Sequence, residues 1–175
     1  MEEQIDIIIK AMANALNNVI PIKWTKLYFY GEVSFDKEDY NVGMYFWDKK
    51  LKKYMDFSEI PDVYPDFNEF YTYFDEINTL LLKMYDVFLA NGQRKWEAML
   101  ITLEKKGKMK VEFSYDWFIN ELNQFERKII WANKTFGYLP PKDSYADKFL
   151  IKYLRENNII GNFGDEYLKK FIKNE

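Results

Sequence analysis

The strongest constraint on the fold is a stripe of apolar side chains in the middle of the chain, spaced three and four residues apart. Its members are Phe67, Phe70, Phe74, Ile77, Leu81, Met84 and Phe88. This spacing puts them on one face of an α-helix. Asp66 and Glu69 have capping-box spacing at its start, and Asn91-Gly92 suits a left-handed cap at its end. We therefore predict one long helix, beginning after Asp66, that buries its apolar face.

Segments rich in aromatic and β-branched residues flank this helix in the sequence and predict strands. They cover residues 24–35, 40–48 and 51–57 before the helix and residues 96–104 and 109–115 after it. The connections between successive strands are short and polar, and Gly107 suits the positive φ of a tight hairpin. We expect a meander of three strands and a separate hairpin of two.

Further segments with helical spacing lie at the two ends of the chain. The first runs from Ile5 to Val19 and ends before Pro21, the next covers roughly residues 120–136, and another is capped by Ser144. A short last helix would bear Leu168, Phe171 and Ile172. The order α-β-β-β-α-β-β-α-α predicts an α+β fold, in which an antiparallel sheet of about five strands packs against helices.

Composition narrows the functions open to such a fold. A chain of 175 residues is the usual size of one domain, and we expect residues 1–175 to form a single domain. It contains no Cys and no His, which excludes disulfides, thiolate metal sites and the nucleophile–histidine pairs of many hydrolases. Carboxylates, lysines and tyrosines remain as candidate catalytic groups. We expect a protein that is not an enzyme and that uses no cofactor and no metal.

The sequence indicates neither export nor membrane insertion. Its N-terminus, Met1-Glu2-Glu3-Gln4, is acidic, whereas a signal peptide begins with basic residues. No run approaches the roughly 18 consecutive apolar residues of a spanning helix. We therefore expect a cytoplasmic protein that does not bind a membrane.

Negative charge is concentrated in one part of the chain. Residues 32–86 carry thirteen acidic side chains against six lysines, and residues 54–82 carry seven acidic side chains with no Lys or Arg. Such a segment favours a basic partner. An aromatic residue within an acidic surface is typical of a protein-binding hot spot. We predict that the contact surface consists of Asp56, Glu59, Asp62, Asp66, Glu69, Tyr73, Asp75 and Glu76.

Other interpretations of these features remain open. Any one of the carboxylates can be a solvated residue near a helix N-terminus, and the whole chain can be an adaptor or a carboxylate-dependent hydrolase. A set of aromatics on the predicted strands could stack on bases, but the charges around them are largely acidic and would repel phosphate. We expect this set to pack in the core and on the sheet, without contact to nucleic acid: Trp24, Tyr28, Tyr30, Tyr45, Trp47 and Tyr54.

Four segments match the pattern of a known family. The first runs from Val19-Ile20-Pro21 through Trp24 to Tyr28, and the second is Asn91-Gly92 followed by Trp96. The third and fourth are Gly107-Lys108 through Tyr115, and Glu126-Arg127-Lys128-Ile129-Ile130-Trp131 continuing to Lys134, Gly137, Leu139 and Pro140. Over about residues 3–142, the chain resembles the YezG-like family of bacterial immunity proteins. The first hairpin is more charged than in relatives, and residues 143–175 look like a helical extension.

The resemblance implies a role as well as a fold. Members of this family are antitoxins that guard against LXG-type nuclease toxins exported through type VII secretion. It implies that the chain binds the C-terminal nuclease domain of its cognate toxin inside the cell. A nuclease presents positive charge to phosphate, so an acidic inhibitor could dock on that same charge. The resemblance does not name the toxin.

Overall fold

The computed structural model of the protein describes residues 1–34, 37, 39–116 and 122–157. The chain forms two compact units, Met1–Asn120 and Glu121–Glu175, and the single domain over residues 1–175 stays a prediction. Parts of the first predicted hairpin, the start of the predicted helix at residue 120 and the short last helix lie outside the described residues. No helix in the described part of the chain is long and apolar enough to cross a membrane.

The first unit is built on a five-stranded antiparallel sheet. Its strands are β1 (Trp24–Val33), β2 (Tyr40–Asp48), β3 (Lys53–Asp56), β4 (Ala98–Glu104) and β5 (Met109–Ser114), arranged in the order β3-β2-β1-β4-β5. The long, aromatic-rich β1 lies at the centre, where nearly all of its residues are buried. Both the predicted meander and the predicted hairpin are therefore confirmed. β3 and β5 are the two edges.

Helices cover one face of this sheet. They are α1 (Glu2–Asn18), the four-residue α2 (Ile60–Val63), which follows the 3-10 turn Phe57–Glu59, and α3 (Phe70–Ala90). Alternate residues of the strands point towards the helices, so that Phe29 in β1 and Ile101 in β4 share a core with Leu16 of α1 and Leu81 of α3. The predicted α+β architecture is confirmed.

The start of α3 differs from the prediction. The helix begins at Phe70 rather than directly after Asp66, and the Glu69 side chain makes no capping hydrogen bond. A turn occupies residues 66–69, because the Phe67 N–H donates to the Tyr64 carbonyl and the Phe70 N–H to the Phe67 carbonyl. The predicted capping box of Asp66 and Glu69 is therefore wrong. Phe70 is the first member of the stripe that is buried, at 4% exposed.

The described part of the second unit contains two helices, α4 (Gln124–Phe136) and α5 (Tyr145–Glu156). A capping box begins α4, where Asn123 Oδ1 accepts from the Glu126 N–H at 3.0 Å and Glu126 Oε2 accepts from the Asn123 N–H at 3.0 Å. Gly137, at φ 71°, ends α4 in the left-handed conformation. Ser144 caps α5 as predicted, since its Oγ accepts from the Asp147 N–H at 3.2 Å.

Candidate protein-binding surface

The eight residues of the predicted contact surface lie on successive elements of the first unit. Asp56 ends β3, Glu59 ends the 3-10 turn, and Asp62 lies in α2. Asp66 and Glu69 follow in the turn before α3. The last three, Tyr73, Asp75 and Glu76, lie in the first two turns of α3. A single stretch of chain thus presents the predicted surface, but its members differ in exposure and in what they bind.

Two of the eight stabilise the chain locally. Asp56 is only 7% exposed, and its Oδ1 accepts from the backbone N–H and the hydroxyl of Ser58, at 3.0 and 2.8 Å. Glu59 Oε1 accepts from the Asp56 N–H at 3.1 Å, and its other oxygen lies 3.5 Å from Lys53 Nζ. This is a capping box, ten residues before the predicted one. Asp56 therefore stabilises the chain locally, and its place in the contact surface stays a prediction.

The remaining five carboxylates are exposed to solvent. Among the described residues, no Lys or Arg forms an ion pair with any of them. Their charge is consequently available to a partner, because no neighbouring cation neutralises it. These residues, which we call the acidic surface, are Asp62, Asp66, Glu69, Asp75 and Glu76.

The exposed aromatic of this region is Tyr71 and not the predicted Tyr73. Tyr73 is half-buried, and its ring stacks on Phe67 with centroids 6.5 Å apart. Tyr71 is 64% exposed and touches Phe70 edge-on at 5.2 Å. Helical geometry predicts this difference in exposure, because at 100° per residue Tyr71 lies further around the helix from the apolar stripe than Tyr73 does. The prediction missed Tyr71 because it considered only the residues aligned with Glu69 and Glu76.

Helical spacing also places the acids of α3, together with Glu69 just before it, on two sides of the outer helix face. Tyr71 and Asp75 are four residues apart and therefore neighbours along the helix, whereas Glu69 and Glu76 share the opposite flank. Val63, 46% exposed, adds a second apolar side chain close to Asp62. Asp75 is thus a neighbour of the exposed Tyr71 along α3, and Asp62 precedes the exposed Val63 in the sequence. Exposed apolar side chains next to charged ones are common in protein contact surfaces.

The aromatics that could have formed a stacking platform are occupied by contacts within the protein. Trp24, Tyr28, Tyr30 and Tyr45 are buried, as expected for packing on the sheet. The Tyr54 ring meets Tyr28 edge-on at 5.9 Å and Trp47 edge-on at 5.0 Å. Burial, with a smaller effect of Tyr28, raises the pKa of Tyr54 to about 12. Rings held edge to face in this way present no continuous flat surface to bases.

Catalysis by paired carboxylates finds no support in the α4–α5 groove. This groove has a volume of about 450 Å³ and contains Glu126 and Glu156. Both oxygens of Glu126 are engaged, one by the Asn123 N–H and one by the Tyr145 hydroxyl at 3.0 Å. Glu156 lies 3.8 Å from Lys152. Within the described ranges, no three metal-ligating side chains come together either.

Comparison with known proteins places the chain in a family. The family described as "Immunity protein YezG-like" matches residues 5–150. The Immunity protein YezG of Bacillus subtilis strain 168 is 30% identical over 141 residues, which cover 79% of this chain and 91% of the relative. Its namesake from Bacillus spizizenii is 24% identical over 154 residues, or 83% and 90% of the two chains.

A third relative comes from another genus. The Type VII secretion system protein EsaG of Staphylococcus aureus strain NCTC 8325 is 24% identical over 162 residues, covering 89% of this chain and 96% of EsaG. These matches extend beyond the sheet and α3 into the second unit. The chain belongs to the YezG-like family of immunity proteins.

Proposed function

We propose that this protein is the immunity protein of a secreted nuclease toxin, and that it neutralises the toxin in the cytoplasm by docking its acidic surface on the basic nucleic-acid cleft of the nuclease domain. Family membership supports the immunity role. The names of its relatives, immunity protein and type VII secretion system protein, favour a toxin of that secretion system as the partner. In this role the protein binds and does not catalyse.

One observation carries the choice of surface. Five exposed carboxylates lie on the same stretch of chain as the exposed Tyr71 and Val63, and no described Lys or Arg pairs with them. A cleft that binds phosphate must be lined with Lys and Arg, which makes it complementary to this surface. Opposite charges speed association, and fast capture protects a cell from a toxin that it makes itself. Tyr71 would serve as the anchor that enters the cleft.

The experiment compares two sets of charge reversals in binding to the nuclease domain of the cognate toxin, which is first identified as the protein that co-purifies with this chain. One variant carries Asp66→Lys, Glu69→Lys and Glu76→Lys. The matched control carries Glu2→Lys, Glu3→Lys and Asp6→Lys, three exposed acids near the N-terminus of α1. Both variants change the net charge equally, and both alter acids at the start of a helix. Circular dichroism verifies that each is folded.

The surface variant should associate about tenfold more slowly or worse, and added salt should slow the parent protein far more than the variant. The α1 control should associate nearly as fast as the parent. Nuclease activity should return only with the surface variant. An association rate that does not change with salt concentration would rule out the acidic surface as the contact. Tight binding by the surface variant would rule it out as well.

A second experiment separates an immunity protein from an adaptor. Cells that carry the toxin gene are depleted of this protein, and their survival is measured. An immunity protein is required for survival in these cells and dispensable once the nuclease domain is deleted. Survival of depleted cells with an intact toxin gene would favour the adaptor and contradict the proposed role.

A further inference from the structure

β5 forms one edge of the five-stranded sheet. Its six residues, Met109–Ser114, pair with β4, and no other described strand lies beside it. An edge of this length offers a row of backbone N–H and C=O groups to an additional strand. The other edge, β3, has only four residues. Any strand added to the sheet would therefore find its longest template at β5.

The hydrogen-bond pattern tells which backbone groups face outward. The Glu104 N–H donates to the Lys108 carbonyl at 2.8 Å across the β4–β5 pair. Because the direction of these groups alternates along an antiparallel strand, residues 108, 110, 112 and 114 bond to β4. The N–H and C=O groups of Met109, Val111 and Phe113 consequently point away from the sheet.

The sequence of this edge is complementary to itself. An antiparallel copy with its two-fold axis at Val111 would place Lys110 opposite Glu112 of the second copy, and Met109 opposite Phe113. Both copies contribute the same pairs, so each contact occurs twice. An axis at Lys110 would oppose two lysines, and an axis at Glu112 would oppose two glutamates, which destabilises the pairing. In the Val111 register, the residues whose backbone groups point away from the sheet, Met109, Val111 and Phe113, also lie opposite one another.

The apolar side chains of β5 fit the same arrangement. Met109, Val111 and Phe113 point to the helix-covered face and are only partly buried, because the sheet ends beside them. Phe113 rests on Phe88 and Trp96, at 4.8 and 5.6 Å, which holds this edge in place. A second copy would continue the layer and remove their remaining apolar surface from water.

We propose that β5 pairs antiparallel with β5 of a second copy of this chain, with the two-fold axis at Val111, so that two five-stranded sheets form one continuous sheet. Lysines on an edge often prevent such pairing. Here Lys110 is accompanied by Glu112, 2.8 Å away on the same face, so the middle of the strand carries no net charge. The excess lysines, Lys105, Lys106 and Lys108, lie at the hairpin tip and not in the strand.

The test measures the mass of the full-length protein by sedimentation over a wide range of concentrations. A dimer would have twice the 21.3 kDa of one chain and would dissociate on dilution, because a two-strand contact is small. The variants are Lys110→Glu, Glu112→Lys and the double exchange of both. The control is Lys49→Glu, which makes the same charge change in an exposed turn.

Each single variant places like charges opposite each other at both symmetry-related pairs. It should therefore raise the dimer dissociation constant about tenfold or more. The double exchange restores opposite charges and should return the constant to near its original value. Lys49→Glu should leave it unchanged. Thermal unfolding verifies that the singly substituted chains are folded, since they also lose the ion pair within one strand.

Hydrogen exchange at single residues adds a second readout. The amides of Met109, Val111 and Phe113 should exchange more slowly at high protein concentration, whereas those of Lys110 and Glu112, already bonded to β4, should not change. A protein that stays monomeric at every concentration would overturn the proposal. A dimer whose dissociation constant does not respond to the charge substitutions would overturn it too. Protection of the three amides only when the nuclease domain is added would assign this edge to another partner instead.

Discussion

Leu81 of α3 lies directly over Gly31 in β1: a Cβ placed on Gly31 would stand 2.6 Å from Leu81 Cδ1 and 3.1 Å from the Phe29 ring. Leu81 is completely buried and belongs to the core between α3 and the sheet, so it has little room to move away. The missing side chain at Gly31 is what allows the helix to lie this close to the central strand.

Gly31→Ala should lower the free energy of unfolding by about 1 to 3 kcal/mol, because the added methyl group overpacks the core. Urea denaturation measures the change. Leu81→Ala alone should cost about 2 to 5 kcal/mol through the cavity that it leaves. Combined, the two should cost less than their sum, since the new methyl group of Ala at position 31 occupies part of that cavity. Strictly additive effects would contradict the contact.

The sequence was sufficient to predict the elements but not all their ends. The apolar stripe of α3 and the alternation in the strands are signals that extend over many residues, and the predicted elements that fall within the described residues appear there. Capping, in contrast, depends on a few local hydrogen bonds. Asp56 and Glu59 have the same spacing as Asp66 and Glu69, and only the path of the chain decides which pair forms the box.

Asp56→Ala should therefore lower the free energy of unfolding by about 1 to 2 kcal/mol, the usual cost of losing an N-cap. Asp62→Ala, which removes an exposed carboxylate six residues later, should stay within about 0.5 kcal/mol of the parent. Chemical denaturation of both variants under identical conditions makes the comparison. Equal stability of the two would mean that the Asp56 hydrogen bonds contribute nothing to the free energy of unfolding.

The charge of the candidate surface could be predicted from the sequence, but the burial and contacts of its individual residues could not. A segment with seven acids and no bases is visible in the sequence, but the burial of Asp56 and the ion pair between Glu59 and Lys53 depend on how β3 and the following turn pack. Tyr71 and Tyr73 lie in the same helix, and their different exposure depends on where the core lies around α3. The periodicity of the sequence gives that position only approximately.

Tyr71 provides a direct test of the acidic surface. Tyr71→Ala should weaken binding to the nuclease domain about tenfold to a hundredfold if the ring is an anchor, since such residues contribute 2 kcal/mol or more. Tyr145 is a matched control, because it is 62% exposed and lies in the second unit. Tyr145→Ala should leave the dissociation constant unchanged in titration calorimetry. The reverse result would move the contact surface to α5.

Tyr54 makes stability depend on pH in the alkaline range. Burial, and to a smaller extent Tyr28, raises its pKa to about 12, whereas a tyrosine in the unfolded chain has a pKa near 10. The folded protein keeps the Tyr54 proton over this interval and the unfolded chain loses it. The free energy of unfolding contributed by Tyr54 is therefore fully present below about pH 10 and decreases as the pH rises from about 10 to about 12.

Tyr54→Phe removes this dependence, because phenylalanine has no proton to lose. Urea denaturation at a series of pH values between about 9 and 12 should show a shallower decline of the free energy of unfolding for the variant than for the parent. Absorbance of tyrosinate should also show one late-titrating group fewer in the variant. Parallel declines in the two proteins would mean that Tyr54 ionises as easily in the folded state as in the unfolded one, and that its place between Tyr28 and Trp47 is open to water.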